Sequence, residues 1–272
     1  MVTFIPTPIG NLEDITLRTL KVLEDCEVLL CEDTRITQKL IELLAQRKLL
    51  NPKNYTYIPV HSHNEKVFLQ ETPLAFWEQK IAYLSDAGMP CISDPGVEIV
   101  RFLQKYELPY EVLGGISALT LAVAFSGMVE KEFLFLGFPP HKNKEKTIFI
   151  QTYCQQRFPF VLYESPHRLL ETLEILAAFD KNRSIFLAKE LSKKFQQTFK
   201  GEAGAILETL KSSEIKGEWV MIIEGREEEN RTLSQEEIYA LEIPPKIKAK
   251  ILAKLHKKSA SEFYNALCQS KL

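Results

Sequence analysis

The sequence predicts an α/β protein with two sheet-containing domains and a small helical C-terminal tail. Short apolar runs alternate with helix-forming stretches, a pattern typical of strand–helix–strand units with parallel strands. The 272 residues, 45% hydrophobic and 26% charged, have an ordinary globular composition and the length of two domains. A polar stretch at 225–237 then separates this region from a lysine-rich end.

The first predicted domain covers residues 1–115. Its expected strands are the apolar runs 2–5, 28–31, 81–84 and 110–113. Its expected helices are the amphipathic stretches 16–26, 34–45 and 97–104. A loop follows each of these strands. Ligands of open parallel sheets bind at the carboxyl ends of the strands, so these loops are candidate ligand sites.

The second predicted domain covers residues 116–225. Its expected strands are 133–138, 160–163, 184–188 and 219–225, and its expected helices are 118–125, 169–179 and 202–210. The uncharged run 112–129 is close to the minimum length of a membrane-spanning helix. Glycine, serine and threonine residues interrupt it, so we interpret it as a strand end, a loop and a buried helix.

The remaining residues, 226–272, are predicted to be a linker and a basic tail. Residues 244–258 form an amphipathic pattern, with six lysines and no acidic residue from Lys246 to Lys258. Ser259 and Glu262 have capping-box spacing for a last helix. The lysines form either a solvated helix face or an RNA contact, and the pattern alone leaves both open.

Net charge and missing motifs exclude several classes of protein. A formal charge of −2 argues against binding nucleic acid through global charge, so such binding needs a local patch. The P-loop, dinucleotide, zinc-protease and hydrolase signatures are absent. Five cysteines without a CxxC pair indicate reduced, buried thiols in a cytoplasmic protein. We expect no metal, since His61 and His63 form the one close histidine pair, and no signal peptide, since no basic residue precedes Arg18.

The loop 85–96, SDAGMPCISDPG, has the densest set of ligand-binding features. Asp86 is suited to accept a hydrogen bond from a ribose or an ammonium group, and Ala87 and Gly88 leave room for an adenosine. The structural alternative is a pair of tight turns capped by aspartates. Four further loops carry weaker signals, namely TPIGN (7–11), CEDTR (31–35), HSHNE (61–65) and GGISA (114–118).

Two loops of the second half place charge directly after a strand. In ESPHR (164–168), Ser165 is expected to be an N-cap and Pro166 the first helical residue. His167 and Arg168 near that helix start would bind a backbone phosphate. AKE (188–190) follows the next strand, so loops from both halves are expected to face a shared cleft.

Together these loops, with GFPP (137–140), resemble the ribosomal RNA small subunit methyltransferase I family of the tetrapyrrole methylase superfamily. The order and spacing match over about residues 3–225, and the basic tail is also similar. The resemblance implies a tetrapyrrole-methylase-like fold with a parallel-sheet N-terminal domain and a mixed-sheet C-terminal domain. It further implies S-adenosylmethionine-dependent methylation of a cytidine ribose 2′-hydroxyl in the decoding region of 16S ribosomal RNA, within the small ribosomal subunit, and a homodimer.

The resemblance also implies roles for individual residues. The implied cofactor contacts are Asp86, Ala87, Gly88, Met89, Ser93, Ser117, Ala118, Tyr163 and Ala188. The implied RNA contacts in the loops are Thr7, Gly10, Asn11, His63, Asn64, His167 and Arg168, and those in the tail are Lys246, Lys250 and Lys254. The expected catalytic residues are Asp33 and Glu190 as alternative general bases, with Arg35 and Lys189 beside them.

One departure from the family pattern lies at residues 114–118. Where the family has Pro-Gly-Pro-Ser-Ala, this chain has Gly114 and Ile116 in place of the two prolines. We expect a more flexible loop and weaker cofactor binding. Two alternative functions remain at this point, a tetrapyrrole C-methyltransferase and a non-catalytic ribosome-assembly factor.

Overall fold

The computed structural model describes residues 1–51, 53–226, 235–256 and 259–269. These residues belong to two compact units, Met1–Arg226 and Glu227–Leu272. The first unit contains two five-stranded sheets, and the predicted α/β class is confirmed. The division of the first unit at residue 115 stays a prediction.

The first sheet is parallel throughout, in the order β3-β2-β4-β1-β5. Its strands are β1 (Val2–Ile5), β2 (Val28–Cys31), β3 (Thr56–Pro59), β4 (Ile81–Leu84) and β5 (Tyr110–Val112). Its helices are α1 (Leu17–Asp25), α2 (Thr34–Gln46), α3 (Glu65–Glu71) and α4 (Val97–Lys105), with 3₁₀ turns at Leu12–Asp14 and Leu74–Glu78. Every residue of β1, β2 and β4 is buried, because helices cover both faces of this sheet.

The second sheet is mixed, in the order β6-β7-β10-β8-β9, with one parallel pair, β6 and β7. Its strands are β6 (Leu134–Phe135), β7 (Phe160–Glu164), β8 (Ser184–Lys189), β9 (Gln197–Glu202) and β10 (Trp219–Ile223). The neighbouring helices are α5 (Ala118–Ser126), α6 (Asn143–Cys154), α7 (Leu169–Phe179) and α8 (Ala203–Lys211). Side chains of α6, α7 and α8 pack on one face of the sheet, and Ala122 of α5 packs on the other.

The uncharged run 112–129 divides into the end of β5, a loop and α5, as predicted. In the part of the chain that the structure describes, no helix combines the length and the apolar character needed to cross a membrane.

The described residues of the second unit form three helices, α9 (Gln235–Ala240), α10 (Pro245–His256) and α11 (Ala260–Gln269). The predicted basic helix and last helix are therefore confirmed. Ser259 accepts a hydrogen bond from the Ser261 N–H (3.2 Å), as an N-cap does. Most of the predicted linker, and Lys257 and Lys258, lie outside the described residues.

The cysteine prediction was wrong in part. Cys26, Cys31 and Cys154 are buried, but Cys91 is half-buried and Cys268 is exposed. Burial raises the pKa of the Cys26, Cys31 and Cys154 thiols to about 11. These three thiols are therefore protonated and unreactive at neutral pH.

Glu65, the last residue of the HSHNE loop, has a structural role that was not predicted from the sequence. Glu65 is 5% exposed, and its Oε1 accepts hydrogen bonds from the N–H groups of Gly96 and Ile99, at 3.1 Å each. Gly96 precedes α4 with φ +115° and has no side chain to cap that helix. Glu65 therefore caps α4 from a distant part of the chain and anchors the end of the loop 85–96.

We expect Glu65→Ala to lower the free energy of unfolding by about 1.5–3 kcal/mol, because two buried N–H groups lose a charged acceptor. The exposed Glu71 on the same helix supplies the control Glu71→Ala, which removes no such bond. Urea unfolding of both variants measures the difference. Equal stabilities would contradict the capping role.

Candidate active site

The loops after β1 and β4 are joined by a two-residue bridge. Thr7 and Gly88 exchange backbone hydrogen bonds at 2.9 Å each, and the Thr7 hydroxyl donates to the Ser85 carbonyl at 3.1 Å. Thr7 is only 2% exposed. Thr7 was predicted to contact RNA, but its burial assigns it instead to holding the two loops together.

A cavity of about 410 Å³ lies at the ends of these loops. Its lining comes from both sheets, and eight of the nine predicted cofactor contacts belong to it, namely Asp86, Ala87, Gly88, Met89, Ser93, Ser117, Ala118 and Tyr163. Ala188 is not part of the lining: it is fully buried in β8, and its register partner Val220 lines the cavity. Contact between Ala188 and the cofactor stays a prediction.

The lining also includes residues that no motif indicated. These are Leu191, Gly217, Trp219 and Val220. They come from separate segments, so only the tertiary fold brings them together. Phe138, by contrast, belongs to the GFPP motif and lines the cavity with 54% of its surface exposed.

The N-terminus of α5 opens at the cavity. Ser117 occupies the N-cap position of α5, but its side chain accepts no hydrogen bond from the first N–H groups of the helix. Burial raises the pKa of Tyr163, while hydrogen bonds from the Ser117 side chain and the Leu119 N–H partly offset that rise. Tyr163 of β7 thereby joins the second sheet to the GGISA loop.

Five carboxyl groups line the same cavity, namely Glu32, Asp86, Asp94, Glu164 and Glu218. Burial and the neighbouring Asp86 carboxylate raise the pKa of Glu32. Burial also raises the pKa of Asp86, whose Oδ1 accepts a hydrogen bond from the Asp33 N–H at 3.0 Å. The cavity therefore has a negative potential suited to a cationic ligand.

Asp33 and Arg35 form an ion pair outside the cavity lining. Asp33 caps α2, accepting from the Arg35 N–H (2.8 Å) and from the Arg35 guanidinium (2.5 and 3.0 Å). These bonds lower the pKa of Asp33 to about 2. A carboxylate so weakly basic is poorly matched to proton abstraction near neutral pH.

Lys189 and Glu190 are likewise absent from the lining. Burial raises the pKa of Glu190, but bonds from the Glu218 N–H (2.9 Å) and the Lys193 ammonium (3.0 Å) leave it below its ordinary value. The Lys189 ammonium lies 5.6 Å from the centroid of the Trp219 ring. Glu190 thus organises its loop rather than facing the cavity.

The ESPHR loop differs from the prediction at its helix start. Helix α7 begins at Leu169, so Ser165 is not its N-cap and Pro166 is not its first residue. The Arg168 guanidinium donates to the Pro139 and Pro140 carbonyls at 2.7 Å each and pairs with Glu164. Arg168 therefore holds the GFPP segment, which makes it a positioning residue.

The other residues predicted to contact RNA differ in exposure. Gly10, Asn11, His63 and His167 are exposed, whereas Asn64 is half-buried. The Asn64 side chain accepts from the His61 N–H and donates to the Pro59 carbonyl, so it shapes its own turn. A Cβ on Gly10 would lie 2.1 Å from Lys193 Cγ, so the TPIGN loop packs directly on the loop after β8.

The basic helix α10 presents Lys246 and Lys250 beside Tyr264 and Ser261 of α11, in one shallow groove. Lys254 is exposed. Lys248 differs from these three because its ammonium donates to the Tyr239 carbonyl at 2.8 Å. Among the lysines of this cluster that the structure describes, the exposed ones are the predicted set Lys246, Lys250 and Lys254. Among the described residues of the chain, no three histidine, cysteine, aspartate or glutamate side chains are arranged so that they could hold a metal ion.

Comparison with known proteins identifies the family. Residues 1–207 match the model of the Tetrapyrrole (Corrin/Porphyrin) Methylases. The chain belongs to this family. The fold comparison agrees, since the tetrapyrrole methylase chain matches uroporphyrin III C-methyltransferase from Thermus thermophilus (TM-score 0.57, 15% identity, covering 82% of this chain and 96% of that one). The predicted fold is confirmed.

Two relatives of this tetrapyrrole methylase are similar over nearly the whole chain. One from Helicobacter pylori (strain ATCC 700392 / 26695) is 44% identical over 277 residues, covering 97% of this chain and 96% of the relative. One from Campylobacter fetus subsp. fetus (strain 82-40) is 44% identical over 269 residues, covering 98% and 99%. Both are named ribosomal RNA small subunit methyltransferase I, so the predicted resemblance is confirmed.

Membership of the family confirms S-adenosylmethionine as the predicted methyl donor of this tetrapyrrole methylase. The cavity fits such a ligand, because its volume lies within the usual range of about 300–1,000 Å³ for small-molecule sites. The carboxyl groups of Glu32 and Asp86 suit a sulfonium and an ammonium, and the N-terminus of α5 suits a carboxylate. Gly88, with φ +85°, brings backbone to the cavity where a side chain would be strained.

Proposed function

We propose that this protein transfers a methyl group from S-adenosylmethionine to the 2′-hydroxyl of a cytidine ribose in the decoding region of small-subunit ribosomal RNA. The main support for this proposal is the large share of the chain that the named relatives match. The relatives named for ribosomal RNA methylation match 97–98% of the chain, which includes the lysine-rich tail. The C-methyltransferase structure matches 82% at 15% identity, which concerns the fold alone.

The proposed partner is the assembled small ribosomal subunit in the cytoplasm. A net charge of −2 supports a substrate bound through a local basic surface rather than through the whole protein. Lys246, Lys250 and Lys254 supply such a surface on the tail. The exposed Gly10, Asn11, His63 and His167 are proposed contacts around the loops.

In the proposed reaction the cofactor supplies an electrophilic methyl group on a positively charged sulfur. Asp86, Ser117 and Tyr163 are the polar residues that would hold it, and Ala87 to Met89 and Ala118 would lie against it. The apolar side chains of Ile9, Phe138 and Trp219 would exclude water from the reacting atoms. Holding the ribose oxygen in line with the methyl carbon then supplies much of the acceleration.

We also propose a homodimer, as the family resemblance implies. Sedimentation at micromolar concentration tests it, since a dimer has twice the chain mass of 31.2 kDa. A monomer at all concentrations would contradict this part of the proposal.

Labelled S-adenosylmethionine and small ribosomal subunits from a strain lacking the corresponding methyltransferase test the function. We expect label in the RNA of the small subunit, recovered as an alkali-stable dinucleotide, because a 2′-O-methyl group blocks cleavage of the adjoining phosphodiester. Subunits from the parent strain are the matched control and should accept little label.

Three results would contradict the proposed function. Label on a nucleobase would exclude ribose methylation. Label on a tetrapyrrole offered in parallel, with none on RNA, would instead establish the C-methyltransferase alternative. Absence of both methyl transfer and cofactor binding would favour the assembly factor.

A further inference from the structure

A ribose hydroxyl is a poor nucleophile until a base removes its proton, so the proposed reaction needs a base inside the cavity. Asp33 and Glu190 do not line the cavity, and both are held in ion pairs that lower their pKa values. Of the carboxyl groups that line the cavity, Glu164 and Glu218 are also held in ion pairs, with Arg168 and Lys193. The base is therefore to be sought among Glu32, Asp86 and Asp94.

We propose that Asp94 is the catalytic base that accepts the proton of the attacking ribose hydroxyl, an inference that rests on the proposed function. Asp94 lines the cavity together with Ser93, Ser117 and Tyr163. Within the described residues it has no basic partner, unlike Asp33 and Glu190.

The backbone around Asp94 is held in place from both sides. The Cys91 N–H donates to the Pro95 carbonyl at 3.3 Å, which closes the turn that contains Asp94. The Gly96 N–H is bound by the buried carboxylate of Glu65 at 3.1 Å. Ser93 has φ +65°, a left-handed conformation that serine adopts only where the surroundings impose it. The carboxyl group of Asp94 is therefore presented to the cavity by a fixed loop.

Groups from several elements face Asp94. Glu32 follows β2, Ser85 and Asp86 follow β4, and the Ser85 hydroxyl acts to lower the pKa of Asp94. The charge of Asp94 in turn contributes to raising the pKa values of Tyr83 in β4, Cys91 in its own loop and Tyr163 in β7. Its titratable neighbours are thus carboxyl, phenol and thiol groups, which are neutral or negative.

These surroundings give Asp94 the proton affinity that the reaction needs. Burial, followed by the Glu32 and Asp86 carboxylates, raises the pKa of Asp94 to about 7, while the Ser85 hydroxyl acts in the opposite direction. A base with a pKa near the operating pH is partly ionised and still accepts a proton readily.

The proposed step transfers one methyl group and one proton. The 2′-oxygen forms a bond to the methyl carbon while its hydrogen passes to an Asp94 carboxylate oxygen. The bond between methyl carbon and sulfur breaks, and its electron pair stays on sulfur. The cationic sulfonium and the carboxylate become a neutral thioether and a carboxylic acid, which later releases its proton to water.

Single-turnover kinetics of Asp94→Asn test the assignment. We expect the rate to fall by about 10²–10⁴-fold, the usual contribution of a general base. The wild-type rate should rise with pH and level off above an inflection near pH 7, and Asp94→Asn should lack that inflection. Asp25→Asn, at an exposed position of α1 outside the cavity lining, is the matched control and should keep the wild-type rate and inflection.

Two further measurements separate chemistry from folding. Binding of S-adenosylhomocysteine, whose sulfur is uncharged, should change by less than threefold in Asp94→Asn. The Tm of Asp94→Asn relative to that of the wild type should increase as the pH rises from 5 to about 7 and should then level off. Because the pKa of Asp94 is raised to about 7 in the folded state, the folded protein keeps a proton that the unfolded chain has already lost. The wild type therefore loses stability over this pH range, and asparagine removes that loss. If Asp94→Asn fails to fold, Asp94→Glu should keep an inflection at reduced rate.

Asp94→Asn with a rate within threefold of wild type, or with an unchanged inflection, overturns the assignment while 2′-O-methylation by the wild type still stands. Asp94→Glu without any inflection, at a measurable rate, overturns it as well. Wild-type label on another atom of the RNA overturns the proposed function instead.

Discussion

Gly115→Ala is expected to weaken S-adenosylhomocysteine binding by tenfold or more. A Cβ at this position would lie 2.2 Å from Pro6 Cγ and 2.6 Å from Pro6 Cβ. Pro6 directly follows β1, whose residues pair with strands on both sides, so the GGISA loop must move instead. Overpacking costs about 1–3 kcal/mol, and 1.4 kcal/mol corresponds to tenfold in affinity. The displacement would carry Ser117 and Ala118 away from the cavity.

The neighbouring glycine supplies a matched control. No heavy atom lies within 4 Å of a Cβ built on Gly114, so Gly114→Ala should bind the ligand as the wild type does. Calorimetric titration of both variants measures the difference. Equal affinities for the two variants would show that the GGISA loop does not form part of the binding site.

Replacing Lys246, Lys250 and Lys254 together with glutamine is expected to weaken binding to the small ribosomal subunit by about 10–100-fold. Each lysine that neutralises a phosphate contributes about 0.7–0.9 to the slope of log affinity against log salt concentration. Loss of three such contacts should therefore reduce the slope by about 2. Cofactor affinity should remain unchanged, because none of these lysines lines the cavity.

Lys248→Gln is the control for this substitution. Its ammonium is bound to the Tyr239 carbonyl, so its removal should leave the salt slope close to the wild-type value. Filter binding at several salt concentrations gives both affinity and slope. An unchanged slope in the triple variant would remove the tail from the RNA-binding surface.

The fully buried strands were predictable from the sequence, and the polar edge strand was not. β1, β2 and β4 are short apolar runs because helices cover both faces of their sheet. β9 is a polar edge strand containing Gly201, and only its pairing with β8 makes it a strand. The helix α6 was also missed, because its apolar and polar residues do not follow a clear helical period.

The loops that form the candidate site could be predicted from the sequence, but the chemical role of each residue in them could not. The motifs located Asp86, Gly88, Ser117 and Tyr163 correctly on the cavity wall. They also drew attention to Asp33 and Glu190, whose ion-pair partners bind them in ways that spacing does not reveal. Asp94 lies in the motif already singled out, yet its distinguishing property is burial among other carboxyl groups, which depends on β2 and β4 lying side by side.

We propose that the cavity between the loops of the two sheets holds the methyl donor. A crystal structure of the protein with S-adenosylhomocysteine tests this location. We expect ligand density in the cavity, in contact with Asp86, Ser117 and Tyr163. Density for the ligand at another site, with this cavity filled by solvent, would contradict it.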